Sequence, residues 1–171
     1  LVEAKIAEQL AISRGPVREA FKLLRAEGLL KEEPRRGTFV VSMSADDVRA
    51  VCLEAGTADS VVEAVNFNEP TQIVIAGHNA AVERACELAK ARGAKRAMKL
   101  AVSAPFHSSL LKPASDRLRD YMANIHFAPP QIALINNVDV AILNDPVGIK
   151  DALVRQAAGP VRWVEIMQKM A

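Results

Sequence analysis

Val61-Val62-Glu63-Ala64-Val65-Asn66 and Gln72-Ile73-Val74-Ile75-Ala76 read as two short β-rich runs, parted by the turn-forming Asn68-Glu69-Pro70. An amphipathic stretch follows over 79–92, where Val82, Ala85, Cys86, Leu88 and Ala89 recur at helical spacing and Gly93 supplies the stop. Two strands and a helix in so short a span make the centre of the chain a mixed α and β structure.

Toward the C-terminus, 95–103 reads as a further strand that Pro105 breaks. After His107 a helix is expected to about Asn124, with Pro113 at an early position and Leu118, Tyr121 and Met122 on its inner face. Ile132-Ala133-Leu134-Ile135 reads as a buried strand, and Asn136 and Asn137 after it suit turn capping. A last helical region spans 149–156 and 161–170, interrupted at Gly159-Pro160.

Toward the N-terminus, Ile6, Ala7 and Leu10 fall on one face of a short helix. Ser13 then offers an N-cap to a second helix that carries Val17, Phe21 and Leu24 inward and stops at Gly28. Leu29-Leu30-Lys31-Glu32-Glu33, a Pro34-Arg35-Arg36-Gly37 turn and Thr38-Phe39-Val40-Val41 complete a hairpin with a basic tip. Two helices followed by such a hairpin predict a helix-turn-helix with a wing.

The totals set bounds. At 171 residues the chain suits one medium domain or two small ones, and its formal charge of +2 demands neither nucleic acid nor membrane, so any basic surface must be local. Cys52 and Cys86 stand in apolar-periodic stretches without metal-ligand spacing, which favours buried free thiols in a reducing cytoplasm over a disulfide. His78 and His126 read as surface or cap residues, so neither a metal nor a cofactor is expected. The longest apolar runs fall short of the roughly 20 residues a membrane span needs, and no membrane partner is expected. Both ends read as cut: Leu1 opens inside a helix-turn-helix pattern, and a helical pattern still runs at Ala171.

Two resemblances attach to these segments. Ser13-Arg14-Gly15-Pro16-Val17-Arg18-Glu19-Ala20, Glu27-Gly28-Leu29 and Arg35-Arg36-Gly37-Thr38-Phe39-Val40 resemble the GntR family of bacterial regulators, over about a quarter of the chain. The resemblance implies a helix from Arg14 in the major groove of DNA. Arg14 and Arg18 would contact base edges or phosphates, Lys22 a phosphate, and the wing tip around Arg36 and Gly37 the minor groove. The bland reading for these cations is a solvated face, and Arg18 suits an ion pair with Glu19 or Glu27. Ala11 stands where the family has glycine, so a positive φ there would cost about 1 kcal/mol. The family's first helix and its effector domain are absent.

The remaining stretch is similar to malonyl-CoA:acyl-carrier-protein transacylase, an acyltransferase of fatty-acid biosynthesis. The matching words include Glu63-Ala64-Val65-Asn66-Phe67-Asn68, Val102-Ser103-Ala104-Pro105-Phe106-His107-Ser108, Ile135-Asn136-Asn137-Val138-Asp139-Val140 and Val154-Arg155-Gln156. The resemblance implies malonyl-CoA and acyl carrier protein as partners, His107 as catalytic base and Gln156 as an oxyanion-side or active-site amide. It also implies a serine nucleophile on a Gly-x-Ser-x-Gly elbow, which occurs nowhere in the chain, so the chain alone is expected to be inactive. The alternative reading is a DNA-binding regulator of the GntR type.

The expected architecture is therefore a chimera of mixed α+β and α/β class. It comprises a partial winged helix over 1–44, a ferredoxin-like βαββαβ subdomain over 38–103 and an incomplete α/β acyltransferase core piece over 104–171. The subdomain would lack its own opening strand and borrow 38–43, either sharing it with the wing or taking it at the wing's expense. The crossover falls within 44–54. Without the early strands of the large domain, Ile132–Ile135 and Trp163 are expected to stand exposed.

Overall fold

The computed structural model describes residues 1–27, 29–34, 37–40 and 43–171. Gly28, the Arg35-Arg36 wing tip and Val41-Ser42 lie outside the described residues. Helices α1 (Glu3–Gln9) and α2 (Arg14–Ala26) come first, followed by strands β1 (Leu30–Glu33) and β2 (Gly37–Val40). Ala7, Val17, Phe21 and Leu30 form a small buried cluster, with Ile6 and Leu24 packed at its margin. The strands pair antiparallel, with Leu30 opposite Val40 and Glu33 opposite Gly37. The Leu1 amine donates to the Thr38 carbonyl and ties the chain start to this hairpin. Between the helices Ala11 adopts φ 52°, the left-handed conformation that a Cβ disfavours.

A second core lies further on. Helix α3 (Ala45–Ala55) begins in a capping box, with the Ser44 hydroxyl accepting from the Asp47 N–H and the Asp47 carboxylate accepting from the Ser44 N–H. Strands β3 (Val62–Glu69) and β4 (Gln72–Gly77) then form an antiparallel hairpin, from Val62 opposite Gly77 to Glu69 opposite Gln72. Helix α4 (Asn79–Ala91) returns across it. Val51, Cys52, Ala55, Val62, Ala81 and Ala85 are the buried centre, and the alanines of α4 let it approach α3 closely. Two glycines have physical reasons here. A Cβ on Gly77 would lie 2.1 Å from the Val61 carbonyl oxygen, and Gly93 ends α4 at φ 89°.

The rest of the chain builds outward from β3. A 3-10 turn (Ser109–Leu111) leads into α5 (Lys112–Ala123), and short strands β5 (Leu134–Ile135) and β6 (Ile142–Leu143) precede α6 (Pro146–Gln156) and α7 (Trp163–Met170). The Ser115 hydroxyl of α5 donates to the Val154 carbonyl of α6 at 2.6 Å. Asn136 closes the β5–β6 connection, accepting from the Asp139 N–H and donating to the Ala141 carbonyl. Val161 then pairs with the free side of β3: its N–H donates to the Val65 carbonyl at 2.7 Å, and its carbonyl accepts from the Phe67 N–H at 2.9 Å.

The fold is mixed α and β, as its sequence implies, but parts of the expected sheet do not form. The 95–103 segment is not a strand, so the βαββαβ order is reduced to the αββα of α3, β3, β4 and α4. In a split βαβ arrangement the last strand needs the opening one beside it. Among the described residues the segment that was to supply it, β2, pairs with β1 alone, so the wing keeps its strand. Tyr121, expected inward, is 74% exposed, because Ser115 takes the buried position on α5 and, among the described residues, Tyr121 stands on the open side. Ile132 is 82% exposed and precedes β5 rather than joining a buried strand. Exposure of Ile132 and Trp163 agrees with the expectation for a core piece without its neighbours.

Two changes test this account of local structure. Ser44→Ala should cost about 1 kcal/mol of stability in chemical denaturation, the usual worth of an N-cap. The Ser44 contacts hold the Asp47 carboxyl below its ordinary value, so its contribution is complete above the unfolded value and lost as pH falls through the lowered folded one. Ala11→Gly should slow amide exchange across α1 and α2, corresponding to roughly 0.5–1 kcal/mol after the entropy of the added glycine is counted.

Candidate functional site

His107 is held where the chain leaves the extended 95–103 segment and enters the 3-10 turn. Its backbone sits at φ 64°, a left-handed position that histidine tolerates better than most residues. Ser108 beside it is buried, its hydroxyl donating to the Pro105 carbonyl at 2.7 Å. The ring is half-buried, and its Nδ1 lies 3.1 Å from the backbone carbonyl oxygen of Gln156. A carbonyl oxygen only accepts, so this contact forms in the tautomer that carries the proton on Nδ1, whereas the Gln156 amide would donate to Nδ1 in the other.

Gln156 closes α6, and its side chain stays close to the backbone around it. Nε2 donates to the Gly159 carbonyl at 3.0 Å and approaches the Pro160 carbonyl at 3.4 Å. It also lies 3.4 Å from Nδ1 of His107, while Oε1 is buried without a partner. The two candidate residues are thus brought together, chiefly through the backbone of one and the ring of the other.

An open cavity of about 400 Å³ adjoins His107, lined also by Arg49, Cys52, Glu63, Ser109 and Pro160. Neither spacing nor residue type singles out Arg49 or Glu63, which read as ordinary helix and strand residues. Arg49 lies over the Phe67 ring, 4.6 Å from its centroid, and pairs with Asp46 at 2.8 Å. The Glu63 carboxylate accepts from the Ser109 N–H at 2.6 Å and so pins the turn after His107. Burial pushes the Cys52 thiol up to about 11, which keeps it protonated and a poor nucleophile at neutral pH. Behind the site Arg155 grips Asp139 through two nitrogens, at 2.9 and 2.7 Å, and Asp151 at 2.6 Å. Among the described residues no cluster of histidine, cysteine and carboxylate side chains could hold a metal ion.

At the other end of the chain, Arg14, Arg18 and Lys22 follow one another at four-residue spacing on α2 and share an exposed face. Arg18 meets Glu3 at 3.4 Å, rather than Glu19 or Glu27, and Lys22 meets Glu19 at 2.8 Å. Pairs this exposed are weak and yield readily to a competing anion. Arg14 makes no ion pair among the described residues. Gly37 opens β2, and Arg36 lies outside the described residues.

Comparison with known proteins finds two kinds of likeness that overlap near the start of the chain. Residues 1–40 match the family of bacterial regulatory proteins called gntR. The malonyl CoA-acyl carrier protein transacylase of Haemophilus influenzae is 44% identical over 158 residues, which take in 90% of this chain and 50% of the relative. That of Escherichia coli is 42% identical over 158 residues, with 90% and 51% covered. Most of this chain resembles half of a malonyl transacylase. The chain spans about half the length of the curated relatives it matches.

The crystal structure of an acyl-carrier-protein S-malonyltransferase from Burkholderia pseudomallei superposes with a TM-score of 0.73 at 63% identity, covering 76% of this chain and 42% of that one. One from Vibrio cholerae gives the same score and coverage at 49% identity. The likeness in sequence covers so much of the chain that it enters the first 40 residues, whereas the likeness in shape leaves about a quarter outside. A regulator-like beginning joined to a transacylase-like remainder is a chimeric architecture.

The hydrogen bond at His107 predicts a tautomer. In ¹⁵N NMR above the histidine titration range, Nε2 of His107 should show the shift of an unprotonated nitrogen and Nδ1 that of a protonated one. A ring protonated on Nε2 instead would remove the Gln156 carbonyl from its role.

Proposed function

We propose that the chain is the histidine-bearing part of a malonyl-transfer site, without its nucleophile, joined to a DNA-contacting segment. The 3.1 Å contact from Nδ1 of His107 to the Gln156 carbonyl carries the reading. It does for the ring what a carboxylate does in a serine-histidine-aspartate triad: it fixes the tautomer, orients the ring and leaves Nε2 free to take a proton from a hydroxyl. Gln156 acts through that carbonyl, and its buried amide stiffens the turn over Gly159 and Pro160. By relation to the transacylases, the acyl donor is malonyl-CoA and the acceptor an acyl carrier protein. The reducing cytoplasm, where free Cys52 and Cys86 persist, is the compartment of this reading.

A base with no nucleophile forms no acyl-enzyme. The 171 residues contain no Gly-x-Ser-x-Gly elbow, and the Ser108 hydroxyl is buried and engaged by the Pro105 carbonyl in the turn that carries His107. The purified chain, given malonyl-CoA and acyl carrier protein, should therefore transfer malonyl no faster than the uncatalysed background. His107→Ala should change nothing in that assay. Transfer above background that His107→Ala removes would show a nucleophile elsewhere in the chain.

The second reading concerns the first forty residues and rests on the face of Arg14, Arg18 and Lys22. The wing tip at Arg36 and Gly37 adds the minor-groove contact. Half-site DNA binding should weaken steeply with salt, because phosphate contacts release counterions. Arg14→Ala should cost about 1–3 kcal/mol if Arg14 reads a base, while Lys22→Ala should reduce the salt slope by about 1. Salt-independent binding, or binding indifferent to both changes in a titration by fluorescence anisotropy, would exclude the face.

A further inference from the structure

His107 sits at φ 64°, and a backbone held in that region stays there only when its surroundings fix it. Three bonds inside the turn shape it: Phe106 N–H to the Ala104 carbonyl, Ser108 N–H to the Pro105 carbonyl and Leu111 N–H to the Ser108 carbonyl, at 2.9, 3.2 and 3.0 Å. Bonds confined to 104–111 set the form of the turn but not its place on the molecule. Ser108 stands at the N-cap of the 3-10 turn yet makes no capping bond, its hydroxyl going to Pro105 instead. The Ser109 N–H is taken by the Glu63 carboxylate of β3 at 2.6 Å, from 46 residues earlier in the chain. A backbone N–H donating to a carboxylate is a charge-assisted bond, one of the stronger kinds.

Strand β3 thereby holds both ends of the contact between His107 and Gln156. Its Val65 carbonyl and Phe67 N–H bind Val161, a short step past Gln156 along the chain. Its Glu63 binds Ser109, just past His107. The ring contact closes a circuit that starts and ends on one strand. Glu63 and Ser109 also line the cavity beside His107, so their bond lies at the site rather than behind it. We infer that Glu63 is a positioning residue for His107, on the reading of that ring as the base of a malonyl-transfer site. From β3 it fixes the turn, and through the turn the direction of the ring. It acts through the Ser109 backbone and not on the reacting atoms. The competing account is a carboxylate that caps a surface turn without effect on the ring.

The test removes the acceptor and the donor in separate variants of the full chain. Glu63→Ala deletes the carboxylate, and amide exchange at Ser109 should then quicken about tenfold or more, the worth of a hydrogen bond to a charged group. Ser109→Pro deletes the N–H instead. Proline suits the first position of a helical turn, and Ser108 before it is already extended at φ −93° and ψ 165°. In both variants the ¹⁵N signals of the His107 ring should move toward the averaged shifts of a free imidazole. Acylation of His107 by diethyl pyrocarbonate should quicken relative to His126. His78 reports on β3, since its Nδ1 accepts from the Val61 N–H at 3.1 Å, and its signals should stay as in the parent. Glu63→Gln keeps an acceptor oxygen and should return His107 close to the parent. The double variant should move the ring no further than either single change, because both remove one bond. Ring signals unmoved in Glu63→Ala and Ser109→Pro would overturn the role of Glu63. So would slow Ser109 exchange in Glu63→Ala, which would put that N–H on another acceptor. Movement of His78 together with His107 would overturn it too, by tracing the effect to loss of β3. Malonyl transfer enters none of these measurements. A His107 that answers to Glu63 but takes no part in transfer keeps Glu63 in this role and removes the malonyl reading. One indifferent to Glu63 leaves the malonyl reading standing on Gln156 alone.

Discussion

Two backbone hydrogen bonds join Val161 to β3, and the arrangement around His107 depends on them. Val161 lies on the side of β3 opposite β4, so β3 is paired on both edges and becomes the centre of the larger part of the molecule. The pairing sets where Gly159 and Pro160 run, and with them the end of α6 and the Gln156 carbonyl. Ser115 adds a side-chain bond from α5 to the same helix, and Arg155 secures it to Asp139. The Nδ1 contact of His107 is the last link of that chain. A strand edge satisfied by a single residue thus positions a ring that comes from a segment almost fifty residues earlier.

Among the described residues there are two buried clusters, the first within the segment that matches the gntR family and the second beyond it. The first, around Phe21, is small because among the described residues α1 and α2 bury mainly against each other and β1. The second, around Val51 and Ala85, is closed by α3 and α4 lying on one face of the β3–β4 hairpin. Beyond them the apolar surface outruns the partners on hand. Ile132, Trp163 and the alternating residues of 98–102 face solvent, a distribution uncommon for a self-sufficient domain. Helices α5, α6 and α7 still form, since capping by Asp145 and Pro113 and their own apolar spacing suffice locally. Sheet structure does not survive in the same way, because a strand needs a neighbour for its backbone groups.

That contrast explains what was legible. Helix α4 and its end at Gly93, the β3–β4 hairpin, α5 with Pro113 and the break at Gly159-Pro160 follow from spacing and turn chemistry a few residues long. The two helices and hairpin at the start were equally readable. The 95–103 segment has every local property of a strand and is not one, since the strand that would lie beside it is not supplied by β2. Tyr121 has spacing that suits an inner face, but Ser115 takes the position that meets α6. Arg49 and Glu63 escaped notice because their neighbourhood is made by Pro160 and Ser109, distant in sequence.

By itself the sequence determined the local elements, the chimeric join and the absence of a serine elbow, because those depend on residue type and short-range spacing. It also marked His107 and Gln156, through the words around them. Only the tertiary structure decided that β2 stays in the wing, that β3 takes Val161 as its second neighbour, and that Gln156 meets the His107 ring through its backbone carbonyl at 3.1 Å as well as its amide at 3.4 Å. Those outcomes turn on which backbone donor meets which acceptor across the chain, and strand pairing between distant segments is a choice that no single segment encodes.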